Sequence, residues 1–187
     1  MLDIPSIRLD IEGISTSFRI VNAKKHPLDK KAIRALAEIE THAKVREWDV
    51  DIHTEDPNEM NVLFKEFFER LSDDKNQLFL CGKLDDEVVG FLGIHRKSKR
   101  MTHIGVVGVI VHPDYWRRGL GTKLLKAGIE LARNEGFIRL EADTLAKNRA
   151  MIKLAEKSGF QLEGIRKMRF DMNGEYEDEA LLALLLE

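Results

Sequence analysis

Residues 109–125 read VIVHPDYWRRGLGTKLL, and this stretch decides the fold. It contains an apolar run, a break at Pro113, a basic turn with two glycines and the start of a helical pattern. Gly119 and Gly121 allow left-handed or crowded backbone, so successive N–H groups can converge on an anion. The first turn of the next helix adds unpaired N–H groups and a positive dipole end. The stretch therefore predicts a strand, a phosphate-binding loop and a helix.

The identity of the loop follows from comparing known phosphate-binding patterns. A nucleotide P-loop needs Lys and then Ser or Thr after its second glycine, but Thr122 and Lys123 come in the reverse order. A dinucleotide fingerprint needs a third glycine where Leu124 stands. The stretch resembles the acetyl-coenzyme A loop of the GNAT acetyltransferase superfamily, which has Gln or Arg, two residues, Gly, one residue, then Gly or Ala. Trp116 occupies the Gln or Arg position, which implies that main-chain groups and an aromatic side chain, here called the aromatic wall, contact the ligand there in place of a long polar side chain.

Residues 148–160 carry a second motif of the same superfamily. They read NRAMIKLAEKSGF and resemble its pattern N-x-x-A-x-x-L-Y-x-x-x-G-F, with Ala155 at the tyrosine position. The two motifs come in the order of the family, separated by a helix and a strand. The resemblance extends from about Phe18 to the C-terminus. It predicts an N-terminal extension over residues 1–17 and a GNAT acetyltransferase domain over residues 18–187.

Composition narrows the class of protein. The 187 residues, 43% of them hydrophobic, supply one domain with a full core. A formal net charge of −2 gives no general attraction to nucleic acid. Cys81 is the only cysteine, which excludes an intramolecular disulfide framework and indicates a reducing compartment. The N-terminus lacks a signal-peptide pattern and no run is long enough to cross a bilayer. We therefore expect a cytoplasmic protein with neither nucleic acid nor membrane as partner.

Hydrophobic periodicity along the chain predicts alternating strands and helices. The predicted strands cover residues 18–21, 77–84, 88–95, 105–111 and 137–144. The predicted helices cover residues 29–45, 62–71, 122–134 and 148–157, the last with Asn148 as N-cap and Gly159 as left-handed stop. Asn173 and Gly174 predict a tight turn between two final strands, although the leucine-rich residues 181–186 favour a helix by intrinsic preference. With the resemblance, this predicts an α/β (α+β) fold: GNAT-like, with a mixed central β-sheet of about seven strands flanked by helices.

The resemblance implies an acetyl-coenzyme A-dependent N-acetyltransferase. Such an enzyme moves an acetyl group to a primary amine by direct attack in a ternary complex, and orientation of the two substrates supplies much of the rate. In the family, N–H groups of the strand before the loop steady the oxyanion and pair with the pantetheine arm, which corresponds here to Val109, Ile110 and Val111. The other implied cofactor-binding residues are Trp116, Arg117, Arg118, Gly119, Leu120, Gly121, Thr122 and Asn148. Either arginine can instead be solvated, and Asn148 can serve as a helix cap at the same time.

Two proton transfers need titratable groups. His103, at the mouth of the central strand, is the best single candidate for the base, and Glu141 and Asp143 on the next strand are alternatives. His103 can equally be a surface or hydrogen-bonded histidine. Because Ala155 stands at the position of the usual proton donor, another group or water must protonate the departing thiolate. The remaining histidines lack the spacing of zinc ligands, so we predict no metal.

Acidic residues crowd the first helix and the loop after it, a region that borders the acceptor cleft in the family. They are Glu38, Glu40, Glu47, Asp49, Asp51, Glu55, Asp56 and Glu59. They favour a cationic acceptor, such as a polyamine, a small aminated metabolite or a protein amino group, but a charge run is also typical of a solvated face.

Two alternative functions share the same motifs. Ala155 also fits a coenzyme A-binding sensor or partner-binding module with little catalytic activity, and a longer acyl donor is compatible with the loop. The sequence leaves open the identity of the acceptor, the role of residues 1–17 and the oligomeric state, a homodimer included.

Overall fold

The computed structural model describes residues 7–11, 14–50, 53–172 and 174–186, which form one mixed sheet between two layers of helices. The strands are β1 (Ile7–Ile11), β2 (Ile14–Asn22), β3 (Gln77–Leu84), β4 (Glu87–Arg96), β5 (Ile104–Val111), β6 (Arg139–Leu145), β7 (Gln161–Met172) and β8 (Glu175–Leu185). The α-helices are α1 (Lys30–Glu40), α2 (Ala43–Arg46), α3 (Pro57–Leu71), α4 (Leu120–Asn134) and α5 (Arg149–Lys157). Among these described helices, none is both long and apolar enough to cross a membrane.

The sheet has the strand order β1-β2-β3-β4-β5-β6-β8-β7. Only β5 and β6 run parallel, and every other described neighbour pair is antiparallel. The predicted mixed sheet flanked by helices is confirmed. Its first strands reach further toward the N-terminus than the pattern suggested, because β2 begins at Ile14 and pairs with β1. The division between an extension and a domain at residue 17 stays a prediction.

Two apolar clusters fill the space on the two faces of the sheet. One joins the sheet to α4 and α5 and includes Leu92, Leu124 and Leu140, all with no exposed surface. The other joins it to α1 and α3 and is rich in phenylalanine, with Phe64 edge-on to Phe91 at 5.8 Å. The large buried side chains of the central strands therefore pack toward one helix layer or the other.

Helix boundaries differ from the periodicity where local capping intervenes. The helix predicted over residues 29–45 ends at Glu40, because the Thr41 hydroxyl donates to the Ala37 carbonyl and His42 has an extended backbone. The imidazole Nδ1 of His42 then accepts the Lys44 N–H at 3.2 Å and caps α2. The first helix is therefore two short helices, with a corner at Thr41 and His42.

The C-terminal hairpin follows the prediction in its strands. Residues 181–185 lie in β8, where pairing with β6 on one side and β7 on the other outweighs the helical preference of leucine. Gly174 has φ +91°, as a tight turn requires, whereas Asn173 lies outside the described residues.

Candidate functional site

The parallel strands β5 and β6 separate toward their carboxyl ends. They pair through only three positions, from Ile104 with Arg139 to Val106 with Glu141. On its other side, β5 pairs with β4 along its length as far as Val111. The remaining edge of β5 therefore lines a slot that opens toward the loop, and an extended ligand can add there like a strand.

Strand alternation decides which main-chain groups face this slot. The His112 N–H donates to the Val89 carbonyl of β4 at 2.8 Å. Because main-chain groups of successive strand residues point to opposite edges, Ile110 also turns its N–H toward β4. Val109 and Val111 turn theirs toward the slot. Of the three predicted main-chain contacts, the structure therefore brings two to the slot and uses the third in the sheet.

The loop after β5 is closed by Trp116. Its indole Nε1–H donates to the Val111 carbonyl at 2.6 Å, so the ring folds back on the strand end, with 38% of its surface exposed. Arg117 then has φ +61° and Gly119 has φ +79°. Left-handed residues so close together turn successive N–H groups into one concavity, which is a typical anion-binding arrangement. The aromatic wall predicted at position 116 thus has a defined anchor.

The N-terminus of α4 completes the concavity. The first hydrogen bond within the helix joins the Lys123 N–H to the Gly119 carbonyl at 3.1 Å. The N–H groups of Leu120, Gly121 and Thr122 precede that bond, so the helix itself provides them with no main-chain acceptor. The positive end of the helix dipole points the same way, which favours an anionic group there.

The two glycines of the loop are needed for different reasons. A Cβ on Gly119 would meet no atom within 4 Å, so this glycine is required by its left-handed backbone and borders open space. A Cβ on Gly121 would lie 2.8 Å from Cδ1 of Leu154, so this glycine lets α4 pack closely on α5. Only the first position leaves room for a ligand beside it.

Two of the other predicted cofactor contacts, Arg118 and Asn148, have partners within the protein. The Arg118 guanidinium lies 5.6 Å from the centre of the Tyr115 ring, whereas Arg117 is exposed. Asn148 is confirmed as the N-cap of α5, accepting the Met151 N–H at 3.1 Å, and its amide donates to the Thr144 hydroxyl at 3.2 Å. These contacts hold Asn148 just beyond β6, at the open end of the slot. Its contact with a cofactor stays a prediction.

The structure does not bring His103 to the slot. His103 is exposed and precedes β5, and its carbonyl accepts the Ile138 N–H at 3.0 Å. At about 3.3 Å per strand residue, it lies about 26 Å along the strand from Val111. A single side chain does not span that distance.

Glu141 is occupied by an ion-pair network at the closed end of the slot. Its carboxylate accepts from Lys97 and, at 2.9 Å, from Arg139, which also pairs with Glu163. Partial burial would raise the pKa of Glu141, but these hydrogen bonds outweigh it and hold the pKa below its usual value. Asp143 lies two residues further on, past the last pair with β5, and is exposed. Among the three predicted bases, Asp143 is therefore the one beside the slot.

Several of the acidic residues near the first helix have structural partners. Glu38 pairs with Arg34, Glu55 pairs with Arg46, and Glu59 accepts from the Thr54 hydroxyl. Asp56 caps α3, accepting the Asn58 N–H at 2.8 Å. Asp51 lies outside the described residues. Of the other three, Asp49 also interacts within the protein, and Glu40 and Glu47 remain as candidates to face an acceptor.

Glu40 differs from its acidic neighbours in its position on α1. It follows Ala37 by three residues and Leu36 by four, and both of these are fully buried, so it continues the apolar stripe that faces the sheet. Burial, together with the charge of Asp49, raises the pKa of Glu40 from 4.5 to about 7. The helical spacing of Glu40 from Leu36 and Ala37 is visible in the sequence, but counting acidic residues does not reveal it.

Histidine contacts hold the end of α1 against the end of β5. The rings of His42 and His112 meet edge to face with centroids 5.3 Å apart. His42 is two residues beyond Glu40, and His112 directly follows β5. Among the residues the structure describes, no group of three histidine, cysteine or acidic side chains is arranged to hold a metal ion.

Comparison with known proteins agrees with this geometry. Residues 36–160 match the acetyltransferase (GNAT) family, and the chain belongs to that family. It is 32% identical over 117 residues to the L-amino acid N-acetyltransferase AaaT of Escherichia coli, covering 62% of this chain and 72% of that protein. It is 25% identical over 169 residues to the spermidine N(1)-acetyltransferase of Escherichia coli, covering 84% of this chain and 82% of that one.

The fold is shared with a solved acetyltransferase structure. The structure of yncA, a putative acetyltransferase from Salmonella typhimurium with its cofactor acetyl-CoA, superposes with a TM-score of 0.76. The sequences are 23% identical, and the match covers 91% of this chain and 94% of that one. By its family and its relatives, the protein is an acyltransferase of the N-acetyltransferase type.

Proposed function

We propose that the protein transfers the acetyl group of acetyl-coenzyme A to a primary amine by direct attack in a ternary complex. The observation that carries this proposal is the slot between β5 and β6, which runs without interruption into the left-handed loop and the N-terminus of α4. The slot suits an extended pantetheine arm, and the loop suits the pyrophosphate at its end.

The described residues fit such a substrate without relying on particular side chains. Val109 and Val111 offer main-chain groups along the slot, and the N–H groups of Leu120, Gly121 and Thr122 offer donors for phosphate oxygens. A donor turned toward the slot can also steady the oxyanion that forms as the amine attacks the thioester carbonyl. Main-chain recognition tolerates Trp116 at the position where the family has Gln or Arg.

A binding protein with little catalytic activity is the second candidate, and Ala155 favours it. This side chain is fully buried against the core, so no hydroxyl group stands where the family has its tyrosine. If the protein is an active transferase, the departing thiolate takes its proton from water or from another group. An activity measurement separates the two candidates.

Thiol release from acetyl-coenzyme A, followed with a chromogenic thiol reagent, tests the proposal. The panel of acceptors begins with spermidine and L-amino acids, the substrates in the names of the two relatives. Cys81 is fully buried and burial raises its pKa to about 12, so the protein itself should react little with the reagent. Amine-dependent release supports the transferase. Thermal stabilisation by acetyl-coenzyme A with no release for any amine supports the binding protein.

A further inference from the structure

We infer that Glu40 is the proton acceptor of the transfer reaction and takes the ammonium proton of the acceptor amine at the open end of the slot. This inference rests on the proposed function. It assigns the general base, for which the family motifs provide no matching residue in this sequence.

The position of Glu40 is the first argument. By its spacing from the fully buried Leu36 and Ala37, Glu40 lies on the side of α1 that packs on the sheet, where its side chain is half-buried. The side chain of Ile110 packs into the same helix layer as α1, so this layer covers the strand that borders the slot. The contact between His42 and His112 fixes the end of α1 at the carboxyl end of β5. A carboxyl group there stands on the face of the sheet opposite α4 and α5.

The environment of the carboxyl group is the second argument. A pKa of about 7 leaves roughly half of the groups unprotonated at neutral pH, which is the range that suits a general base. Titratable groups on the surrounding elements include Asp49 and Glu47 after α2, His42 at the corner, Glu59 on α3, Glu87 on β4, His112 and Asp114 after β5, and Asp143 on β6. Asp49 adds negative charge that attracts an ammonium group.

The reaction step balances with one base at this position. The Glu40 carboxylate takes one proton from the ammonium group and leaves a neutral amine. The nitrogen lone pair then forms the C–N bond to the thioester carbonyl carbon, and the C–S bond breaks with its electron pair leaving on sulfur. The nitrogen loses its second proton to water, and the thiolate takes a proton from water. The products are the amide and the free thiol of coenzyme A, and the protonated Glu40 returns its proton to solvent.

Four variants test this role. Glu40→Gln keeps the shape of the side chain and removes the base, and Glu40→Asp keeps the carboxyl group on a shorter stem. Glu38→Gln is the control, because Glu38 lies on the same helix in an exposed ion pair with Arg34. Asp143→Asn tests the competing carboxylate. Each variant is assayed for thiol release from pH 5.5 to 9 with the panel amine that gives the highest wild-type rate, and for acetyl-coenzyme A affinity by calorimetry.

The expected result separates chemistry from binding. Glu40→Gln should bind acetyl-coenzyme A within about twofold of wild type yet lose about 10²-fold or more in kcat, the usual contribution of a general base. It should also lose the rise in kcat/KM near pH 7. Glu40→Asp should recover part of the rate, and Glu38→Gln should keep both the rate and the pH profile. Asp143→Asn should keep the rise in kcat/KM near pH 7.

Different outcomes overturn different statements. If Glu40→Gln keeps the wild-type rate and pH profile, or if the loss occurs in Asp143→Asn instead, the assignment of Glu40 is wrong while the proposed function stands. If the wild type binds acetyl-coenzyme A but no amine raises thiol release, the proposed function fails and the role of Glu40 fails with it.

Discussion

Two glycines at opposite ends of α4 provide a matched test of the proposed cofactor site. Gly119 has φ +79° and Gly136 has φ +76°, and a Cβ at either position would meet no atom within 4 Å. Replacing each by valine imposes the same backbone strain, about 1–2 kcal/mol. For a chain of this length, that cost lowers Tm by roughly 2–8 °C. Stability alone therefore does not distinguish the two variants.

Cofactor binding should distinguish them clearly. In Gly119→Val, the branched side chain fills the open space beside the loop and turns away the N–H groups that precede the first bond of α4. Losing two hydrogen bonds to a charged phosphate costs about 3–6 kcal/mol, which weakens binding by at least about 100-fold. Gly136→Val, at the far end of the helix, should bind acetyl-coenzyme A with wild-type affinity.

Isothermal calorimetry with acetyl-coenzyme A, and with coenzyme A itself, measures both affinities at a temperature at which both variants are folded. Equal affinities for Gly119→Val and Gly136→Val would refute the assignment of the loop as a phosphate site. A loss in both variants would mean that the strain spreads through α4, and Gly119→Ala, with its smaller side chain, would then resolve the local effect.

Three further predictions concern single side chains. Trp116→Phe keeps an aromatic ring but removes the 2.6 Å hydrogen bond to the Val111 carbonyl. It should lower the free energy of unfolding by about 1 kcal/mol in urea denaturation and weaken cofactor binding several-fold. Unchanged values would mean that the indole N–H has no role in closing the loop. His103→Ala should keep kcat within about twofold, since the residue lies at the closed end of β5, and a large loss would restore His103 as the base. Glu40→Gln should be as stable as wild type at pH 4 but more stable at pH 8, by roughly 1–2 kcal/mol after allowing for partial exposure; equal stability at both pH values would show that Glu40 is not buried.

The sign of the last prediction follows from the raised pKa. Between pH 4.5 and about 7, the unfolded chain releases the Glu40 proton while the folded chain keeps it. The folded state therefore binds more protons, and its stability falls as pH rises through this range. Glutamine does not titrate, so the variant avoids this loss. Urea denaturation at both pH values measures the difference directly.

The sequence predicts the elements best where the pattern is local. The strand, loop and helix around residues 104–134 follow from an apolar run, a proline and two glycines, each of which acts on its own neighbours. The corner at Thr41 and His42 was not predictable from periodicity, because hydrophobic spacing continues through it while a hydroxyl and an imidazole satisfy the main chain differently. A helix cap depends on one or two residues, whereas hydrophobic periodicity is averaged over a whole helix and therefore does not reveal it.

The same distinction between local and long-range interactions decides which residues of the candidate site could be predicted. Gly119 and Asn148 could be named from the sequence because backbone conformation and capping are properties of short segments. The opposite placements of His103 and Asp143 depend on where β5 and β6 separate, and that point is fixed by pairing between distant residues. Assigning a role to Glu40 needs both the sequence and the structure. Its helical spacing is visible in the sequence, but the contact of His42 with His112, which places the end of α1 beside β5, is not.

The departures from the family motifs are consistent with a proposed reaction in which main-chain groups recognise the cofactor and side chains transfer protons. Cofactor recognition uses main-chain groups of β5, the loop and α4, so Trp116 can replace a polar side chain as long as it holds the backbone in place. Proton transfer depends on a side chain, and the position of the family tyrosine is closed by the buried Ala155. A carboxyl group on α1 can take over the part of that chemistry that concerns the amine, because α1 covers the face of β5 opposite α4 and α5. If the thiolate then takes its proton from water, the titration of the Glu40 carboxylate should govern the rate near neutral pH.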